Sequence, residues 1–373
     1  MPVRILFLSA EFGSGHLAAA NAIAAACRSQ SPDCVPTVTQ ARGPVLALVS
    51  WAYLWQIRHL PSLYRKLYRL PVGWPVRGLV ILGLSREVQS AIAAHHPDVI
   101  VGTHPFPAGV AAHLNRRSHL PVPVVMALTD FAPHGFWLWQ GVERYFAPSE
   151  EAAEELVAAG VDRRRITVTG VPIRPVFADI DRVRPLRPAG ETARRVLVMG
   201  GGLGLGPIAE AVHALADLPQ RDLRVTVVCG RNETLRRGLA DRFGADPRLT
   251  LIGYTDNIIE LMLQSDLLVT KPGGITCAEA MAVGLPLLLF DPLPGHEEEN
   301  VHHLVQTGAA RVAAAGAVGE AAAELLFAHP ERLEQMAAAA RAAGRPGAAH
   351  TIASEVLRLG AQVLTRGLAN HRA

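Results

Sequence analysis

Short β-type runs alternate with longer helical runs along almost the whole chain, and such alternation folds into parallel sheets with helices on both faces. In the first half the strand candidates are residues 4–9, 37–40, 99–102, 123–127, 145–148 and 166–169. Helical stretches lie between them, such as residues 16–29 and 150–159, the latter with Ser149 as N-cap and Gly160 as stop. The pattern breaks at residues 172–195, where Pro172, Pro175, Pro185 and Pro188 sit among Arg and Asp, the composition of a linker. It then restarts, with strand candidates at 195–199, 224–229, 249–251, 267–270, 287–290 and 310–313, and an Ala-rich helical tail over 336–373. The expected architecture is α/β, with two doubly wound, Rossmann-like domains facing across a cleft. Residues 1–172 form the first domain, 173–194 the linker and 195–345 the second domain. A C-terminal helix over 346–373 can pack back on the first. Ligands of such sheets bind beyond the carboxyl ends of the strands.

Composition narrows the function classes. Half of the 373 residues are apolar and mean hydropathy is +0.21, yet the longest apolar runs, residues 79–84 and 282–290, are far below the roughly 18 needed to span a bilayer. The first ten residues lack the basic, apolar and small-residue pattern of a signal peptide, and the four cysteines (Cys27, Cys34, Cys229 and Cys277) form no CxxC pair or metal-ligand spacing. A cytoplasmic protein with reduced thiols is expected. The net charge of +3 demands no polyanionic partner, and no nucleic-acid-binding motif is present. Residues 43–90 stand apart. They hold Trp51, Tyr53, Trp55, Tyr64, Tyr68 and Trp74, six of the ten Trp and Tyr. They also hold Arg58, Arg65, Lys66, Arg69, Arg77 and Arg86 against the single acid Glu87. Interfacial aromatics with basic residues suit an anionic membrane surface; an amphipathic helix pair packed on the first domain fits the same residues.

Three glycine-rich turns follow strand candidates. The first, Gly13-Ser14-Gly15-His16, opens a helix. Gly13, Gly15 and Ala18 match the spacing of a dinucleotide fingerprint, but the next strand ends without the acid that would hold a ribose, so an NAD enzyme is disfavoured. An imidazole at such a helix start stays neutral and can act as a general base, or it can simply pack there. The second turn, residues 200–206, is a candidate phosphate cradle and is not a Walker loop. The third is the densest stretch: Thr270-Lys271-Pro272-Gly273-Gly274-Ile275-Thr276-Cys277-Ala278-Glu279. There a strand ends and a helix starts, with amides and dipole aimed at a diphosphate. Glu279, one turn in, is placed to accept ribose hydroxyls. A polar loop, residues 291–300, follows the next strand. Thr129-Asp130 lies at the carboxyl end of another, followed by His134 and Trp137, which can line an acceptor channel or pack the rim.

In this order these motifs are specific. Gly-Ser-Gly-His, Thr-Asp-Phe-x-x-His-x-x-Trp at 129–137, Gly-Val-Pro-Ile-x-x-x-Phe at 170–177, Lys-Pro-Gly-Gly-x-Thr-x-x-Glu-Ala and Pro-Gly-x-Glu-x-x-Asn resemble the diacylglycerol glycosyltransferase group. That group comprises the monogalactosyldiacylglycerol synthases and the processive diacylglycerol glucosyltransferases of glycosyltransferase family 28. The resemblance runs from Arg4 to about Leu304 and implies a GT-B fold and an inverting, UDP-sugar-dependent hexosyltransferase that makes a glycolipid. It implies that His16, or Asp130, takes the acceptor proton, with Gly13, Gly15, His134 and Trp137 on the acceptor side. It also implies Gly201 and Gly202 near the donor phosphates, Tyr254 bordering the uracil, and Gly273, Gly274 and Thr276 on the diphosphate. Glu279 is implied on the ribose, and His296, Glu297 and Asn300 on the donor sugar. Relatives carry glutamine where this chain has His296, which leaves glucose, galactose and N-acetylglucosamine open as donor sugars. Trp51, Trp55, Arg58, Arg65, Lys66 and Arg69 are the expected membrane contacts, at the inner face of the cell membrane. No cofactor or obligate metal is expected, since a helix start and a glycine turn can meet the leaving-group charge; Asp179-Ile180-Asp181 falls in the linker. Two alternatives stay open: another acceptor, such as a polyprenyl or peptidoglycan intermediate or a hydrophobic alcohol, and a non-catalytic sensor of UDP-sugars.

Overall fold

The central apolar runs, such as residues 99–102 and 267–270, are strands buried on both faces, as strands covered by crossover helices are. A computed structural model describes residues 2–11, 14–60, 62, 74–118, 122–179, 192–202, 204 and 206–370. By packing, the chain divides into two units. One comprises Met1–Pro175, Pro294–His296 and Gly347–Ala373, the other Val176–Leu293 and Glu297–Pro346. Each holds one six-stranded parallel sheet among the described residues.

In the first unit β1 (Arg4–Ala10), β2 (Val35–Ala41), β3 (Val99–Gly102), β4 (Val124–Ala127), β5 (Arg144–Ala147) and β6 (Ile166–Val168) lie in the order β2-β1-β3-β4-β5-β6. β2 is longer than its sequence pattern because it pairs with β1 along the whole length of both, Arg4 with Val35 through Ala10 with Ala41. Four helices cross over: α1 (Gly15–Gln30), α2 (Pro44–His59), α3 (Trp74–His95) and α4 (Pro105–Ser118). A fifth, α5 (Glu150–Ala158), starts where expected: Ser149 accepts the amide of Ala152 at 3.1 Å, and Gly160 takes φ +94° behind the helix.

In the second unit β7 (Arg194–Met199), β8 (Leu223–Val228), β9 (Leu249–Ile252), β10 (Leu267–Thr270), β11 (Leu287–Leu289) and β12 (Ala310–Val312) lie in the order β12-β11-β10-β7-β8-β9. Their crossovers carry α6 (Ile208–Ala216), α7 (Glu233–Phe243), α8 (Ile258–Leu263), α9 (Gly274–Val283) and α10 (His296–Gln306), and α11 (Val318–Ala323) follows β12. In each sheet the strand order turns back once, between β1 and β3 in the first and between β7 and β10 in the second. These are the two positions where the loops diverge and leave a crevice.

The helical tail holds two helices, α12 (Pro330–Ala343) in the second unit and α13 (Ala348–Asn370) in the first. Pro346 has no amide to continue a helix, and Gly344 packs its Cα against the backbone of Met281, where a side chain would not fit. α13 lies on α1. Ala349, Ile352, Ala353 and Val356 are fully buried with Ala20, Ile23, Ala24 and Cys27, and Gln30 Nε2 donates to the His350 carbonyl at 2.9 Å. The small residues of α1 let the two helices approach closely. Burial also pushes the Cys27 thiol up to about 12, so it is an inert core residue.

Ile352→Ala should lower the urea midpoint of the protein, by about 2–5 kcal/mol of stability. A loss under about 0.5 kcal/mol, the size of a surface substitution, would show that α13 is not part of the first unit's core.

Candidate active site

His16 is the second residue of α1, at the carboxyl end of β1, and Thr103-His104 follows β3. The reversal of strand order sets these two loops side by side. His16 Nδ1 lies 2.7 Å from the carbonyl oxygen of Thr103. A carbonyl can only accept, so Nδ1 carries the proton and Nε2 offers a lone pair. The Thr129 hydroxyl, at the end of β4, is 3.1 Å from the same Nδ1. The ring is half-buried. Burial lowers its basicity, and the negative charge of Asp130 works in the opposite sense. A neutral imidazole whose Nε2 carries a lone pair is the group a general base requires.

Around it the structure gathers Asp130 and His134. Asp130 is half-buried and acts electrostatically on both rings. His134 is held down at about 3, chiefly by burial, with Asp130 opposing. Its ring sits 5.6 Å from Phe136 and 6.0 Å from Trp137. Trp137 is fully buried in the first unit's core, so it supports His134 and lines no channel. Gly15 begins α1 and Gly13 lies outside the described residues. Two neighbours of His16 escape the sequence reading, Thr103 and His104. The only signal for them was His-Pro directly after a buried strand.

The second unit repeats the arrangement at its own reversal point. The glycine turn after β7 is locked to the end of β8. The Gly204 amide donates to Gly201, the Arg231 amide to Gly202 at 3.1 Å, and Asn232 Nδ2 to Gly204 at 3.0 Å. Gly204 has φ +59°, and a side chain there would run into the carbonyl of Cys229. The diglycine turn after β10 starts α9, with Gly273 as N-cap. A Cβ built on Gly273 or on Gly201 meets no atom within 4 Å, so both turns face open space. Gly202 and Thr276 are half-buried. Glu279, in α9, is only 7% exposed. Tyr254 is 55% exposed, with the Arg231 guanidinium 5.1 Å from its ring centre, a flat platform of the kind a base stacks on.

The loop leading to α10 serves the diglycine turn. Lys271 pairs with Glu297 at 2.9 Å, both largely buried, and Glu297 also accepts the Leu293 amide at 2.8 Å. Asn300 is fully buried and donates to the Pro272 carbonyl at 2.9 Å. Through these contacts the two side chains fix the diglycine turn. His296 is half-buried, opens α10 and groups with the first unit.

In the first unit, α2 and α3 bury Leu46, Val80, Leu84 and Val88 and leave Leu48, Trp51, Trp55 and Leu82 exposed. Trp51 and Trp55 stack one turn apart, ring centres 6.5 Å apart. Arg58 lies in α2, whereas Arg65, Lys66 and Arg69 lie outside the described residues, as do residues 180–181 of the Asp-x-Asp run. Among the described residues no helix is long and apolar enough to cross a membrane, and no cluster of three or more His, Cys, Asp or Glu could hold a metal.

Two doubly wound sheets, each with its polar loops at the reversal point, make the GT-B type of fold. Solved structures agree. MurG from Acinetobacter baumannii matches 96% of this chain and 100% of its own at a TM-score of 0.62 and 17% identity. A UDP co-structure of MnaA from S. aureus matches 94% of each chain at 0.64 and 19%. The profile of the monogalactosyldiacylglycerol synthases matches residues 16–173, and that of the glycosyltransferase family 28 C-terminal domain residues 195–352. A processive diacylglycerol beta-glucosyltransferase of Bacillus pumilus is 32% identical over 83% of this chain and 82% of its own. One of Bacillus cereus strain AH187 is 30% identical over 95% and 93%. The chain belongs to the diacylglycerol glycosyltransferase family, and it is a glycosyltransferase.

Buried neutral histidines make stability depend on pH. The unfolded chain takes up a proton at the His134 position near 6.5, and the native protein only at about 3. Stability is therefore full above 6.5 and falls as pH drops, by at most about 1.4 kcal/mol per pH unit. His134→Phe should flatten the decline in urea midpoint from about pH 7 to about pH 5; an equal decline in both proteins would mean that His134 is not buried as a neutral ring.

Proposed function

We propose that the protein transfers a sugar from a UDP-sugar to a diacylglycerol-type lipid by a single, inverting displacement. The observation that carries the mechanism is the 2.7 Å contact of His16 Nδ1 with the Thr103 carbonyl. It fixes the tautomer that leaves Nε2 free to take the acceptor hydroxyl proton as the oxygen attacks the anomeric carbon. Asp130 stabilises the imidazolium that forms, through the charge it already exerts on the ring. The diphosphate leaving group is met by the amides at the start of α9 and by the glycine turn after β7. Their open faces at Gly273 and Gly201 support that placement. Glu279 holds the ribose and Tyr254 the uracil. No cofactor and no obligate metal enter this scheme. The acceptor class is supported by the named activity of the relatives.

The protein works as a peripheral enzyme on the inner face of the cell membrane. Trp51 and Trp55, 62% and 43% exposed, dock α2 on the anionic surface, together with the basic residues of the same segment.

The test is product analysis by mass spectrometry after incubation with diacylglycerol vesicles and a pool of UDP-glucose, UDP-galactose and UDP-N-acetylglucosamine. A glycolipid is expected, and its mass separates hexose from N-acetylhexosamine. UDP release without a glycolipid would point to another acceptor, and bound UDP with no turnover to a sensor. In the same assay His16→Ala should lose at least ~100-fold in kcat, and a near-normal rate would remove His16 from the role of base. Independently, Trp51→Ala with Trp55→Ala should reduce co-sedimentation with anionic vesicles. Undiminished binding would move the docking surface elsewhere.

A further inference from the structure

We propose that His104 is a positioning residue for His16, acting through the peptide group that joins it to Thr103. The inference rests on reading His16 as the base.

The Thr103 carbonyl that orients His16 belongs to the Thr103–His104 peptide. That peptide is pinned at both ends. On one side the Thr103 amide donates to the Leu8 carbonyl at 3.1 Å, extending the β1–β3 pairing by one residue. On the other, His104 caps α4. Its Nδ1 accepts the amide of Phe106 at 3.2 Å, across Pro105 in the first helical position. A capping side chain holds its own residue in one backbone conformation, and here that conformation aims the preceding carbonyl at His16. The His104 ring also stands edge-on to the His16 ring, centres 4.6 Å apart and planes at 72°, which blocks rotation of His16 away from Thr103. Phe106 closes the far side of His104 at 5.2 Å.

The residue type follows from these demands. The site is only 4% exposed, so the capping group must be neutral and well packed. To accept the Phe106 amide, Nδ1 must lack a proton, so His104 is the Nε2–H tautomer, the opposite of His16. Burial and the neighbouring rings of His16 and His134 keep it neutral, and protonation would destroy the cap. Serine or asparagine would cap without a wall, and phenylalanine would build the wall without a cap.

That difference supplies the experiment. His104→Ala should lower kcat by roughly 10- to 100-fold, the effect of a catalytic group displaced by about an ångström, with KM for the UDP-sugar unchanged. His104→Asn, which restores a capping acceptor, should recover most of the loss, and His104→Phe should not. The second readout is the 1H–15N spectrum of the imidazole nitrogens, free of any activity. His16 should show a protonated Nδ1 in the native protein and in His104→Asn, and a mixture of tautomers in His104→Ala and His104→Phe. If Phe restores kcat as well as Asn does, or if the His16 tautomer is the same in all four proteins, the proposal is overturned. If the tautomer responds as expected while His16→Ala keeps its rate, His104 still positions His16, and the base is another group.

Discussion

Parallel strands pair only through a crossover, and all but one of the crossovers between the described strands lay a helix across the sheet, the β4–β5 connection holding only the short turn Gly135–Trp137. That constraint dictates most of this molecule. It buries β1 from Ile5 to Ala10 on both faces. It puts every strand-to-helix turn on one edge of its sheet. It also leaves one place per sheet, where the order reverses, at which two adjacent turns diverge. The glycine- and histidine-bearing turns of the two units sit there: His16 with Thr103 after β1 and β3, and Gly201 with Gly273 after β7 and β10.

The two crevices solve different chemical problems with similar means. In the first a backbone carbonyl fixes a histidine tautomer, and the charge of the nearby Asp130 acts on the same ring. In the second the backbone of the glycine turns faces open space, and side chains are spent on holding it. Asn232 caps α7 by accepting the Leu235 amide, while its Nδ2 ties down the glycine turn. Glu297, Lys271 and Asn300 do the same for the diglycine turn. A buried ion pair such as Lys271–Glu297 is worth little as stability, because both charges lose their water. Its value here is geometric, since it joins the end of β10 to the start of α10.

Much of this was legible in the chain. All twelve strands lie on or beside the apolar runs read from the sequence, and the three glycine turns stand where strands hand over to helices. His16, Asp130 and His134, each singled out from the sequence, lie near enough for the Asp130 charge to act on both rings. Trp137 is the counter-example. An aromatic near a presumed channel reads as a wall of it, and only packing revealed that its ring is wholly enclosed. Glu297 and Asn300 carry protein contacts that the sequence did not announce, because their partners Lys271 and Pro272 lie beyond the end of another strand.

The sequence by itself determined the strand–helix alternation, the break between two such runs and the chemistry at each turn, because periodicity, proline, glycine and charge are local properties. The tertiary structure alone decided which turns meet. Thr103 is 87 residues from His16, and Asn300 is 28 from Pro272. Strand order sets those distances, and no local signal encodes strand order. It decided the tautomer of His16 and the burial of Trp137 for the same reason. Both depend on partners that chain topology brings in from far along the sequence.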